Sequence, residues 1–445
     1  MTPDPHAGRL CRGCASRGRR RGFQNANGGN SSGIADAARG VESADGDHLE
    51  EFGGDGGMMI HSTLSALSLN ITDGKHGDCE NSPTSGYYFI SCKDVRDGTI
   101  HYEDARQITE RDFFDAHKRT LLEPNDILIT NSGTIGRMAF VTDTPQTSKT
   151  TFQKSVAIVK PNPNKIIPKY LYYVLLNSID SFITQANGSA QKNLLLSTMR
   201  SFNLFIDDDK QVQARIASIL SSYDDLIENN QKQIKLLEEA AQRLYKEWFV
   251  DLRFPGWEKT KIVDGVPEGW ERLPLPQIAD IQYGFAFDGS LFNSSGYGTP
   301  IVRIRNIPDA ETSDFTSEEA SSEYLINNGD IIVGMDGEFH INSWAGGQAY
   351  LVQRTCCIRP KIEKMRGWLL YSIHEPIKYF EKTIVGATVA HLGKKHLDSI
   401  TLLLPTEELY APFISIFDKR QILMEENIKL REVRDRLIYM LMSTN

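Results

Sequence analysis

The 445-residue sequence has only six cysteines, and two of them, Cys356 and Cys357, are adjacent. Adjacent cysteines bridge poorly, and six in this length do not make a disulfide framework. That usage points to the reducing cytoplasm. No window approaches the run of about 18 apolar residues needed to span a membrane. The N-terminus lacks the apolar core of a secretory signal. An excess of positive charge is missing too: 49 Lys and Arg stand against 58 Asp and Glu, a formal charge of −9. This excludes a chain whose whole surface coats nucleic acid, because phosphate neutralisation needs clustered Lys and Arg. Local basic faces, or a basic partner sharing the contacts, remain compatible with it.

Catalytic motifs are also absent. A free-standing adenine methyltransferase needs a glycine-rich turn for its methyl donor and an Asn/Asp-Pro-Pro-aromatic loop for the target amine. Phe52-Gly53-Gly54-Asp55-Gly56 fits the first only formally, with no strand before it, and the second does not occur. No Gly-x-x-x-x-Gly-Lys-Ser/Thr loop exists, which argues against ATP hydrolysis. The segment from Gly386 to Lys394-Lys395 has the wrong spacing and no hydroxyl for magnesium. Cys11-x-x-Cys14 is half of a zinc site with no second pair, and tetrahedral zinc takes four ligands. His76, His101, His117, His340, His374, His391 and His396 form no ligand or triad pattern. No metal site is expected.

What the sequence does have is internal repetition. Residues 1–57 stand apart: 13 of the 35 glycines and an arginine-rich stretch (Arg17, Arg19, Arg20, Arg21) leave no periodic apolar pattern. Such a segment is expected to be disordered, and Met58-Met59 offer an alternative start. Beyond it, Gly188-Ser189-Ala190-Gln191-Lys192-Asn193-Leu194 aligns with Gly386-Ala387-Thr388-Val389-Ala390-His391-Leu392 at an offset of 198. Ser201, Ile216 and Glu228-Asn229 match Ser399, Ile414 and Glu426-Asn427 at the same offset. Upstream, Asn125-Asp126-Ile127-Leu128 matches Gly329-Asp330-Ile331-Ile332 at 204. An ordered series of this kind implies duplication.

Each copy opens with a mixed segment of short β-type runs, such as Val156-Ala157-Ile158-Val159 and Ile331-Ile332-Val333, broken by Gly, Pro and Asn. A long helix follows. In the first copy Ile216, Leu220, Tyr223, Ile227, Asn230, Ile234, Leu237, Ala241, Leu244 and Trp248 alternate by four and three. That is a heptad seam, suited to a partner helix, and its lone Asn is a register-fixing type. The second copy repeats Ile416, Leu423, Leu430 and Leu437 at sevens, with Val433 and Met440 three residues on from two of them. The competing reading is two ordinary amphipathic helices packed on their own domains. Phe254-Pro255-Gly256-Trp257 ends the first helix, and Pro267-Glu268-Gly269-Trp270 opens the second mixed segment. The expected organisation is an α+β chain: a tail at 1–57, mixed α/β domains at 58–209 and 255–408, and helices at 210–254 and 409–445.

These residues resemble the DNA-specificity subunits of type I restriction–modification systems, over roughly residues 60 to 445. Pro124-Asn125-Asp126-Ile127-Leu128-Ile129-Thr130-Asn131-Ser132-Gly133-Thr134-Ile135-Gly136-Arg137 is similar to a family segment running from proline, glycine and aspartate to glycine, threonine, isoleucine, glycine and a basic residue. Gln191-Lys192-Asn193-Leu194 resembles the family's glutamine-lysine-x-leucine, and Glu425 to Leu437 its distal helix. Two departures stand out. Gly334-Met335-Asp336-Gly337-Glu338 replaces the first copy's Asn131-Ser132-Gly133-Thr134-Ile135, and Asp207-Asp208-Asp209-Lys210 replaces a proline-rich approach to the first helix.

The resemblance implies two target-recognition domains separated by the two long helices, paired as an antiparallel coiled coil. It implies a non-catalytic subunit that reads a bipartite site on double-stranded DNA. The implied partners are two modification subunits and restriction subunits, which carry S-adenosylmethionine, ATP and Mg; this chain binds no cofactor. Base reading needs Arg, Lys, Asn or Gln, and phosphate contacts need basic groups. Candidates are Lys93, Arg96, Thr134, Arg137 and Lys149 in the first domain. In the second they are Arg303, Arg305, Asn306, Lys361, Arg366, Lys394 and Lys395. An alternative from another class is a coiled-coil adaptor that never touches DNA.

Overall fold

A computed structural model describes residues 58–184, 193–384 and 390–443. The tail with its Phe-x-Gly-x-Gly and Cys-x-x-Cys runs, Gly188 to Lys192 and Gly386 to Val389 all lie outside the described residues. Among those described, no helix is long and apolar enough to cross a membrane, and no cluster of His, Cys, Asp or Glu is arranged to hold a metal.

The repetition in sequence is a repetition in structure. The first half builds a four-stranded antiparallel sheet from β1 (Ser68–Asp73), β2 (Ile127–Thr130), β3 (Met138–Phe140) and β4 (Val156–Pro161). Its spatial order is β1-β4-β2-β3. The second half builds the same sheet from β5 (Ala279–Tyr283), β6 (Ile331–Gly334), β7 (Ile341–Ser343) and β8 (Thr355–Pro360), in the order β5-β8-β6-β7. Registers match as well: Ile127 pairs with Val159, and Ile331 with Ile358. The turn into β2 and into β6 needs a left-handed residue, met by Asn125 (φ 74°) in one half and Gly329 (φ 84°) in the other. The aspartate after each turn meets a cation from the neighbouring strand. Lys160 lies 2.7 Å from Asp126, and Arg359 lies 2.6 Å from Asp330. Burial still lifts the Asp126 carboxyl to about 6.

Strand β4 is apolar on both faces because it sits between two cores. Ala157 and Val159 join one cluster with the helical layer, while Val156 and Ile158 join another on the opposite face. In β8 the same alternation sends Cys356 to one core and Cys357 to another. The adjacent thiols therefore point apart and remain free. Burial pushes the Cys356 thiol up to about 12. The second half adds a five-stranded sheet that the sequence pattern did not suggest, since its strands are two to four residues long.

Two long helices follow the two halves: α1 (Lys210–Tyr245) and α2 (Ala411–Ser443). Asp209 caps α1 by accepting from the Gln211 N–H at 2.7 Å, which replaces the proline-rich approach with an ordinary acidic N-cap. The helix loosens into a π turn at Lys246–Val250, and Leu252 (φ 54°) and Gly256 (φ 90°) take the chain out of it. The 36 residues of α1 span about 54 Å at 1.5 Å each.

The helices run antiparallel. Going up α1, Asp224, Asn230 and Glu238 meet Arg434, Glu426 and Arg420 going down α2, at 3.0, 3.1 and 2.7 Å. Between them Ile227, Asn230, Leu423 and Asn427 are buried. The Asn427 Nδ2 reaches the Ile227 carbonyl at 3.5 Å, while its Oδ1 has no partner. Ile216 and Leu220 are buried as well. Tyr223, Ile234, Leu237, Leu244, Leu430 and Leu437 are half-buried.

The helices also form walls of both domains. Ile216, Ala217 and Leu220 of α1 share the first domain's core with Ile438 and Met442 of α2. Ala241 and Phe249 belong to the second domain's core with Phe413 and Phe417. This corrects the seam at its end: Met440 is 40% exposed, and Ile438 and Met442 hold the buried places. A helix that meets both a partner helix and a domain buries a broad 3.6-period face, so the strict seven-residue step fails there.

Candidate nucleic-acid interface

At one end of each sheet three segments converge. In the first half, the β2–β3 loop (131–137) meets the chain at Asn193. The Leu194 N–H donates to the Asn131 carbonyl at 2.8 Å, and Ser132 bridges Asn193. In the second half the Leu392 N–H donates to the Met335 carbonyl at 2.8 Å, and Asp336 bridges His391. The turn leading into the sheet's last strand in chain order completes each junction. The Asn131 N–H donates to Ser155 and the Met335 N–H to Arg354, at 3.0 and 2.9 Å. A concavity of about 480 Å³ opens beside the first junction, lined by Asp73, Asn131, Ser132, Lys154 and Asn193 to Ser197.

The β2–β3 loop turns on Gly133 (φ 77°) and Gly136 (φ 92°), and its tip residue Thr134 is exposed. Arg137 ends the loop, exposed, with its backbone N–H held by Thr130 Oγ1 at 2.9 Å. Lys93 is exposed on a turn, Arg96 on a two-residue strand (Val95–Arg96) and Lys149 at the end of a short 3-10 helix (Thr147–Lys149). The structure brings Arg96 and Arg137 together with the second domain. Burial, reinforced by Asp97, raises the Asp309 carboxyl, while Arg96, Arg431 and Arg137 oppose that rise. Lys394 and Lys395 open a short helix directly after His391 and are exposed.

Other candidates have partners within the second domain. Arg305 is ion-paired to Asp314. Asn306 donates to Asp314 at 3.3 Å and accepts from the Arg303 N–H at 2.9 Å, so both ends of its amide are used. The Arg303 guanidinium lies 5.5 Å from the Phe292 ring centroid. Lys361 donates to the Pro276 carbonyl at 2.7 Å, and Arg366 pairs with Glu363 at 2.7 Å. These four residues, Arg305, Asn306, Lys361 and Arg366, each have a partner within the second domain.

Sequence reasoning missed Lys154 and Arg354, which sit in the junction turns. Gln153-Lys154-Ser155 resembles Gln353-Arg354-Thr355 in sequence, but the strand registers set Arg354 against Ser155 and Lys154 against Gln353, so the two cations are neighbours rather than counterparts. A different surface, the cleft between the domains over the helix pair, is unsuited to a polyanion. Its roughly 650 Å³ is lined by Asp97, Glu103, Glu228, Glu238, Asp309 and Glu311 against Lys232, Lys235, Arg420 and Arg431.

Comparison with known proteins agrees with this duplicated architecture. The chain matches the family described as "Type I restriction modification DNA specificity domain" twice, over residues 76–239 and 267–431. It is 24% identical over 356 residues to the type I restriction enzyme MjaIX specificity subunit of Methanocaldococcus jannaschii, covering 75% of this chain and 80% of that one. It is 32% identical over 141 residues to the EcoBI specificity subunit of Escherichia coli, 32% of this chain and 30% of the relative. The crystal structure of a type I restriction–modification S subunit from M. genitalium shares the fold with a TM-score of 0.50 and 14% identity. That likeness covers 87% of this chain and 97% of the other. The chain belongs to the type I restriction–modification DNA specificity family, and carries the family's domain twice.

Proposed function

We propose that this chain selects the DNA site for a type I restriction–modification complex, each domain reading one half of a split sequence. One observation carries this reading: the specificity domain occurs twice, each copy followed by a long helix, and the two helices run antiparallel. Like units joined in this way are related by a rotation near 180°, as are the strands of a duplex. The domains differ in sequence, so the two half-sites differ.

The helix pair acts as a coiled-coil ruler. Its length of about 54 Å exceeds one duplex turn of about 34 Å. Unspecified base pairs therefore separate the half-sites. The chain performs no chemistry itself. Methyl transfer with S-adenosylmethionine belongs to modification subunits docked on the exposed helix faces, and ATP- and Mg-dependent cleavage to restriction subunits.

The test is binding of the full chain to duplex DNA across a salt series. A few phosphate contacts per half-site make log K fall steeply with log salt, at about −0.9 per phosphate. A chain that binds no duplex at any salt, alone or with its modification partner, is the adaptor of the competing reading.

A further inference from the structure

The residues at the two junctions are not alike. In the second half, His391 Nδ1 lies 2.5 Å from Asp336 Oδ1 and 3.2 Å from an Arg354 guanidinium nitrogen. Arg354 Nε lies 3.4 Å from Asp336 Oδ2. The Arg354 and His391 side chains are 55% and 46% exposed, and Asp336 is 29% exposed. All three thus reach solvent at one point. In the first half the matching backbone positions hold Ser132 and Asn193, neither of which carries charge. Lys154 is exposed there, with no carboxylate among the described residues within ion-pair distance.

We propose that the two junctions are paired phosphate-contact points, with Lys154 serving the first half-site and Arg354, beside His391, the second. Asp336 acts as an internal competitor that occupies Arg354 until a phosphate replaces it. This rests on the DNA-reading role proposed above and adds particular residues and an asymmetry to it.

Three features carry the argument. First, both cations sit in the two-residue turn that leads into the sheet's last strand in chain order and that bonds the hairpin loop, through the Ser155 carbonyl beside Lys154 in one half and the carbonyl of Arg354 itself in the other. A basic side chain on the same turn, one residue apart, in two domains that read different bases suits a backbone contact rather than a base contact. Second, each lies beside an exposed loop that bears other candidates, Thr134 in one half and Lys394-Lys395 in the other. Third, Arg354 adopts φ 69°, a conformation disfavoured for arginine, and so is held at this spot by its surroundings. An exposed ion pair is worth little in water. A phosphate, with its denser charge and geometry suited to a guanidinium, displaces Asp336 readily.

The experiment uses the full chain with its co-expressed modification partner, a short duplex carrying the methylated site, and roughly 50 to 200 mM salt. Lys154→Ala and Arg354→Ala should each reduce the slope of log K against log salt by about 0.9, weakening all sequences alike. Arg354→Lys should keep the slope. Asp336→Asn should tighten binding several-fold at low salt, because the competitor is gone. The methylated sequence should be unchanged in every variant. Unchanged slopes in Lys154→Ala and Arg354→Ala, with a steep wild-type slope, would overturn the phosphate assignment but leave the DNA-reading role intact. Weaker binding by Asp336→Asn would overturn the competitor role. Lys154 takes no part in the Asp336 cluster, so its variant remains informative if changes there disturb folding. A wild-type complex without salt-dependent binding would overturn both this proposal and the role it rests on.

Discussion

Seven residues inserted into each long helix, at matched positions near Asn230 and Glu426, should lengthen the unspecified spacer of the recognised site by about three base pairs. Those residues face one another, 3.1 Å apart, where the helices meet near mid-length. A heptad in each partner keeps the seam in register. It adds about 10 Å at 1.5 Å per residue, and duplex DNA rises about 3.4 Å per base pair. The outer half-site also turns by roughly 100° at about 10.5 base pairs per turn, so affinity should fall while the spacer preference shifts. The half-site sequences should stay the same. Insertion into one helix alone displaces every contact beyond it, including Arg420–Glu238 or Arg434–Asp224, and should destroy the complex. The readout is the spacer in the methylated motif. An unchanged spacer in a folded, active variant would show that the helices do not set it.

Exchange of the first domain should have an effect of similar size. Replacing residues 58–206 with the matching domain of a relative should rewrite one half of the motif and leave the other untouched. Each altered base pair costs about 1–3 kcal/mol, so several together abolish binding to the original site. The basis is the separation of the cores: the first domain's clusters share no buried residue with those of the second. The graft must keep the contacts that dock the domain on the helices. Tyr173 donates to Asp224 at 2.6 Å, and Lys169 lies 3.2 Å from the same carboxylate. Asp224 in turn receives Arg434 of α2. Changes in both halves of the motif, measured by methylation sequencing, would contradict the modular reading.

The duplication was readable because the elements that set the backbone keep their chemistry. Asn125-Asp126 and Gly329-Asp330 recur because the turn needs a left-handed residue and the aspartate needs its cation. The helices were readable from apolar spacing alone. Less was visible where packing overrides pattern. The heptad step does not foresee that Ile438 and Met442 are buried and Met440 is not, since the first domain's core lies against that end of α2. The second half's five-stranded sheet stayed hidden because two-residue strands carry no period. For the site, exposure could be guessed but commitment could not. Nothing in the string Arg303 to Asn306 says that Asp314 occupies Arg305 and Asn306. Lys154 and Arg354 are not marked by the repeat, because at this segment the halves match at an offset of 199, which sets Lys154 against Gln353 and Arg354 against Ser155.

The central claim is that this chain alone dictates a split DNA sequence to its partners. The most direct measurement is methylation sequencing of a host genome after the chain is expressed with a modification subunit, compared with the modification subunit expressed alone. The account predicts methylated adenines in one bipartite motif, two different short half-sites around a fixed unspecified spacer, present only when this chain is present. A contiguous motif, a palindromic one, or a pattern indifferent to this chain would contradict it.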